Sequence, residues 1–300
     1  MNKKISQTIL ATIRFMVNYL PFTVAVFGWK LKVLLKYILK YRSKVISQNL
    51  QNSLQNRYTD KEILEFKNEF YDIMVRYITE NLRVAAWPKE KLIARLSLRN
   101  KDYWSSYFKA QKSTIIMASH YGNWELNLMM FHHLAGHRAV GFYKPISNKV
   151  VDHMMLDIRS KHGLELYPIE QTARVMSRHK SENIIYFFIG DQSPLNMNGV
   201  YWNTFLDQQT PWLNGSEKLA VKYNYPVVYI HQIPCGAKET IWYNIELEVI
   251  SQNPGNEAEG AITEKYSRLL EAQIWNQPPY WLWSHKRWKR AHLKENGKSK

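Results

Sequence analysis

His120 and Glu125 stand five residues apart in a short polar stretch, His120-Tyr121-Gly122-Asn123-Trp124-Glu125. An imidazole can take a proton from a hydroxyl or a water near neutral pH, and a carboxylate beside it fixes its tautomer and stabilises the imidazolium. On a continuous helix a five-residue step turns the side chain by about 500°, onto a different face. The pair can meet only if the chain bends between them, and Gly122-Asn123 supplies the bend. This places the histidine in a loop and the carboxylate in the first turn of a helix. The same spacing also suits a partly buried histidine that is merely satisfied by a carboxylate.

The flanking residues fit that geometry. Ser113 to Ala118 is a short, mostly apolar, strand-forming run, and Leu126 to Phe131 is an apolar helical run. Further strands are expected at Ala139–Phe142, Leu164–Pro168, Asn183–Ile189, Pro226–Ile230 and Ile241–Ile250. Helices are expected over Asp60–Val84, Asn148–His162, Ala173–His179, Glu217–Tyr223 and Thr263–Trp275. Thr59 or Asp60 caps the first of these helices, and Gly163 ends the second. The alternation predicts an α/β fold, a mixed central sheet flanked by helices. Reactive residues in such folds gather beyond strand ends. His120, Lys144 and Asp191 each follow an expected strand.

Net charge is +16, which calls for an acidic partner: nucleic acid, anionic membrane or an acidic carrier protein. One cysteine, Cys235, rules out an internal disulfide and fits a reducing compartment. The 11 Trp and 19 Tyr suit sites that are apolar at one end and wet at the other. Residues 1 to 59 hold ten Lys or Arg and no acid. Phe15 to Trp29 is mostly apolar but shorter than the roughly 20 residues that span a bilayer. Lys30 to Lys40 reads as an amphipathic helix, with Lys32, Lys36 and Lys40 on one stripe. Such a helix can lie among anionic headgroups or pack its leucines on the domain. No G-x4-G-K-S/T, G-x-G-x-x-G or H-E-x-x-H occurs. His133 and His137 suit packing better than metal ligation, since no cysteine or carboxylate clusters beside them.

The hexapeptide 120–125 resembles the H-x4-D/E motif of the lysophospholipid acyltransferase superfamily, in the form found among bacterial lipid A biosynthesis late acyltransferases. The similarity runs from about residue 15 to 290. Tyr143-Lys144-Pro145 looks like the family's second block, and Trp283-Ser284-His285-Lys286-Arg287-Trp288 like its C-terminal W-x-H-x-R-W signature.

The resemblance implies a glycerol-3-phosphate acyltransferase-like fold. It divides the chain into an N-terminal membrane-associated helical segment (1–45), an acyltransferase domain (46–290) and a basic tail (291–300). It also implies acyl transfer from a thioester, with acyl carrier protein as donor, to a hydroxyl of a lipid A precursor or related glycolipid. His120 would be general base, oriented by Glu125. Arg159, or backbone N–H groups near Gly122, would stabilise the oxyanion, and Asp191 would hold Arg159 or the acceptor. Asn123, Tyr143, Lys144, Gln192, His285 and Arg287 would bind substrate. No metal or organic cofactor is implied, and no nucleic acid. The expected setting is the cytoplasmic face of a bacterial inner membrane, with anionic lipid as a partner. A lipid or thioester hydrolase using the same pair, and a basic nucleic-acid-binding module, are the rival readings.

Overall fold

The computed structural model describes residues 2–19, 21–236 and 239–295. Helices α1 (Asn2–Tyr19), α2 (Pro21–Val33), α3 (Ser43–Leu54), α4 (Asp60–Ala86) and α5 (Lys89–Ile93) come first. Strand β1 (Leu96–Leu98), α6 (Lys101–Ala110), β2 (Thr114–Ala118), α7 (Trp124–Ala135), β3 (Ala139–Tyr143), α8 (Lys149–Lys161) and β4 (Glu165–Pro168) follow. Then come α9 (Thr172–Arg178), β5 (Ile185–Ile189), a hairpin of β6 (Tyr201–Phe205) and β7 (Gln208–Trp212), and α10 (Gly215–Tyr223). The chain ends with β8 (Val227–Pro234), β9 (Tyr243–Ser251), α11 (Ala261–Asn276) and α12 (His292–Glu295).

Seven strands form one sheet in the order β1-β9-β8-β2-β5-β3-β4. β2 runs parallel to both its neighbours, β5 and β8, whereas β8 and β9 are antiparallel. The expected mixed sheet flanked by helices is therefore present. Alternate residues of β2 face opposite layers, as pleating dictates. Ile115 and Met117 join the core built with α3, α4 and α11, and Ile116 joins the core built with α6 and α7.

α4 begins on a capping box: Thr59 and Glu62 exchange side-chain and backbone hydrogen bonds. Its 27 residues run beneath the turn at 120–123. α1 and α2 pack against it, and α1 also packs on α8.

The expected Lys30–Lys40 helix is corrected. The α-helix stops at Val33, Leu34–Ile38 form one π-helical turn, and Lys40 and Arg42 adopt left-handed φ of 44° and 48°. The chain bends back because it is tied down there. The Tyr71 hydroxyl donates to Tyr41 O at 2.9 Å, and Arg42 Nη1 donates to Ser284 O at 2.8 Å. The lysine stripe is broken too, since Lys32 pairs with Asp72. Among the described residues no helix is long and apolar enough to cross a membrane.

Candidate active site

The site is built where β2 and β5 end side by side. Ala118 is in register with Ile189, so the residues two steps beyond each strand, His120 and Asp191, meet. The Tyr266 hydroxyl donates to Ala118 O at 2.8 Å and fixes the strand end. The His120 backbone N–H donates to Asp191 Oδ2 at 2.9 Å, and its ring Nδ1 lies 2.6 Å from Asp191 Oδ1. Trp281 Nε1 donates to Asp191 Oδ2 at 2.8 Å. Burial alone would push this carboxyl up. The charge of His120 and the hydrogen bonds from His120 and Trp281 outweigh that and hold it down at about 2. Asp191 is thus a carboxylate at neutral pH and can only accept. Nδ1 must carry the hydrogen, which leaves the Nε2 lone pair free for a proton. The Gln192 amide nitrogen sits 3.0 Å from Nε2, at the exposed side of the ring.

The bend between strand and helix depends on Gly122, at φ +61°. Its N–H donates to Tyr280 O at 3.0 Å. A Cβ there would lie 2.6 Å from Gln232 Oε1 and 3.2 Å from the Tyr243 ring. Gly122→Ala should destabilise the protein by about 1–3 kcal/mol, read as a lower denaturant midpoint, and reduce activity in the folded fraction.

Asn123 is corrected from substrate contact to scaffold. Its side chain is fully buried. Oδ1 accepts from Leu126 N–H at 3.0 Å and caps α7, and Nδ2 donates to Glu80 Oε2 at 2.9 Å. No polar atom is left for a ligand. Glu80, on α4, was given no role by sequence alone. It also accepts from the Tyr243 hydroxyl at 2.9 Å and pairs with Arg76 Nε at 2.7 Å. This buried carboxylate anchors the turn to α4 and β9.

The pairing expected between His120 and Glu125 is corrected as well. Glu125, nearly buried in the first turn of α7, faces α8. Arg159 grips it from one side, with Nε to Oε2 at 2.9 Å and Nη2 to Oε1 at 2.5 Å. Glu125 and Asp191 therefore exchange the partners expected from sequence: Glu125 holds Arg159, and Asp191 holds His120. Trp124 packs against the rings of His120 and Tyr77. Its ring lies 4.9 Å from that of His120 and stacks 4.4 Å from that of Tyr77.

Tyr143 ends β3 and is half-buried; Lys144 follows it, exposed, on the same sheet edge as His120. His285 lies near enough to feel the charges of Asp191 and His120, and burial pushes its imidazole down to about 4. Arg287 is corrected from substrate contact to interior. It has 0% exposure, packs 4.5 Å from the Trp212 ring and donates from Nη2 to Pro211 O at 2.7 Å. Burial lowers its pKa to about 10, so it stays cationic. It braces β7 and is closed to a headgroup. His133 Nε2 meets His162 O at 2.9 Å and His137 Nε2 meets Asn183 Oδ1 at 2.5 Å, so the two histidines serve different packing contacts.

Set against models of known families, residues 4–290 match that of the bacterial lipid A biosynthesis acyltransferases. The chain belongs to that family. It is an acyltransferase of lipid A biosynthesis, and its acceptor is of lipid A type. No curated protein gave a significant match. Two narrow apolar clefts adjoin the His120 turn in this lipid A acyltransferase. Trp124, Leu128, Phe187 and Ile230 line one, and Phe70, Met74, Tyr77 and Leu282 line the other.

Proposed function

We propose that the enzyme moves a fatty acyl chain from acyl carrier protein to a hydroxyl of a lipid A precursor, with His120 as general base and Asp191 as its orienting carboxylate. The observation that carries this is the 2.6 Å contact between His120 Nδ1 and a carboxylate held at about 2. It supports an Nε2 lone pair aimed at the exposed side of the site. The acceptor hydroxyl takes the place of the Gln192 amide at Nε2. As its O–H bond breaks, the proton passes to Nε2 and the oxygen attacks the thioester carbonyl carbon. The C–S bond then breaks, and the imidazolium returns the proton to the departing thiolate. The Gln192 amide, released from Nε2, is the donor best placed for the oxyanion, because the Gly122 N–H already serves Tyr280 O. In this reading Arg159, neutralised by Glu125, positions Trp124 and the start of α7. Tyr143, Lys144 and His285 line the approach of substrate.

The purified protein, given acyl carrier protein thioester and a lipid A precursor, should yield a lipid heavier by one acyl group. Free fatty acid with no acylated lipid would replace this reading by a hydrolase.

The donor assignment rests on charge. Lys286 and Lys289 are exposed on the segment that follows His285, and Lys144 is exposed beyond β3. Carrier proteins are small and acidic, and a positive rim speeds their docking. Lys286→Glu with Lys289→Glu should raise KM for the carrier-protein donor by about tenfold at low salt, and less as salt rises. An acyl-coenzyme A donor, measured alongside, should change less. The setting that fits this chemistry is the cytoplasmic face of a bacterial inner membrane.

A further inference from the structure

Three groups converge on the Asp191 carboxylate, and they divide unevenly between its two oxygens. Oδ2 accepts twice, from Trp281 Nε1 at 2.8 Å and from the His120 backbone N–H at 2.9 Å. Oδ1 is left for the His120 ring, with Nδ1 at 2.6 Å. An indole N–H only donates and an ionised carboxylate only accepts, so neither partner can reverse its role. Asp191 and Trp281 are both buried. The carboxylate therefore cannot turn about its Cβ–Cγ bond without breaking a buried hydrogen bond.

The indole is itself held. Pro278–Tyr280 form a 3₁₀ turn, whose prolines restrict the backbone. The segment around it is tied to the turn at 120–122. The Tyr121 hydroxyl donates to Gln277 O at 2.9 Å, the Gly122 N–H donates to Tyr280 O at 3.0 Å, and Tyr121 pairs with Trp281 in an antiparallel bridge. The Trp281 ring stands edge-to-face against Trp283, Phe205 and Trp288, with centroids 4.9, 5.9 and 5.9 Å away. Further on, Asn49 Nδ2 donates to Trp283 O and His285 O, both at 2.8 Å. One segment thus fixes both ends of the catalytic pair: the loop that carries His120 and the carboxylate that faces its ring.

We infer that Trp281 is a positioning residue for acyl transfer, holding Asp191 Oδ2 so that Oδ1 stays on His120 Nδ1 while the ring gains and loses its proton. The inference rests on the proposed function, in which His120 is the base and Asp191 its orienting carboxylate. Without the indole N–H, Oδ2 keeps one donor, the carboxylate swings, and the imidazole loses its fixed direction. Trp283 supplies a matched contrast. It is buried in the same segment and donates from Nε1 at 2.7 Å, but to Pro278 O instead of the carboxylate.

Trp281→Phe should lower kcat by about 10- to 100-fold, the scale on which partners that orient a metal ligand from one layer out affect activity. Trp283→Phe should lower the thermal midpoint by a similar amount and keep the wild-type kcat. Trp281→benzothienylalanine keeps the two-ring shape, puts sulfur in place of the N–H, and should lose as much kcat as Trp281→Phe. The proton resonance of His120 Nδ1–H reads the contact without turnover. It should move upfield in both variants at position 281, as Nδ1 and Oδ1 separate, and stay in place in Trp283→Phe. Wild-type kcat in folded Trp281→benzothienylalanine protein, or an unmoved resonance, would overturn the inference. An equal kinetic loss in Trp283→Phe would overturn it too, since packing alone would then explain both. Acyl transfer that survives His120→Ala would defeat the functional reading, whereas transfer that survives only the changes at position 281 would defeat this inference alone.

Discussion

Replacing Asp191 with asparagine should lower kcat/KM for acyl transfer by about 10⁴-fold, the scale seen when a general-base histidine loses its orienting carboxylate. The substitution keeps the shape of the side chain. It replaces an acceptor-only group with one whose amide can donate to Nδ1. A donor at that position favours the tautomer with hydrogen on Nε2, which cannot take a proton from the acceptor. Glu125→Gln should behave differently. It removes one member of a nearly buried ion pair and leaves the Arg159 guanidinium underpaired. Its main cost should fall on stability, on the order of 3 kcal/mol. Steady-state kinetics of both variants, beside their melting curves, separates the two roles. A larger kinetic loss for Glu125→Gln, in protein of unchanged stability, would return the orienting role to the glutamate.

His120→Ala should cost on the order of 10²–10⁴ in rate, as expected for removal of a general base. The ring is half-buried in a loop, and its chief contacts are Asp191, Gln192 and Trp124. The backbone N–H that binds Asp191 is kept. The variant should therefore fold, and mass spectrometry of the lipid product should show little transfer. Wild-type turnover in folded His120→Ala protein would end the assignment.

The strand–turn–helix around residue 120 was legible because its signals are local: an apolar run, a glycine that must take positive φ, and an asparagine at a helix start. Helix α4 was legible from its cap and periodicity, and α8 from Asn148 and Gly163. What escaped depends on neighbours far along the chain. His120 meets Asp191 because β5 lies beside β2, with a register that no local pattern records. Glu80 looked like one polar residue on an amphipathic helix, yet it holds Asn123 from 43 positions away. The hairpin β6–β7 turns at Leu206-Asp207, both at positive φ, without the glycine that marks such turns. Arg287 sits in a run of basic residues that reads as solvated, and only the placement of Trp212 explains its burial. The amphipathic helix expected at Lys30–Lys40 turns π-helical after Val33 and ends at Ile38, because Tyr71 and Arg42 pull the chain back onto the domain.

The most direct test of the central claim is the tautomer of His120, read from its ring ¹⁵N resonances in the resting enzyme near neutral pH. In the neutral form of the ring, the hydrogen should sit on Nδ1 in wild type and in Glu125→Gln, and leave Nδ1 in Asp191→Asn. A ring protonated at Nε2 in wild type, or one that responds to Glu125→Gln and ignores Asp191→Asn, would contradict it.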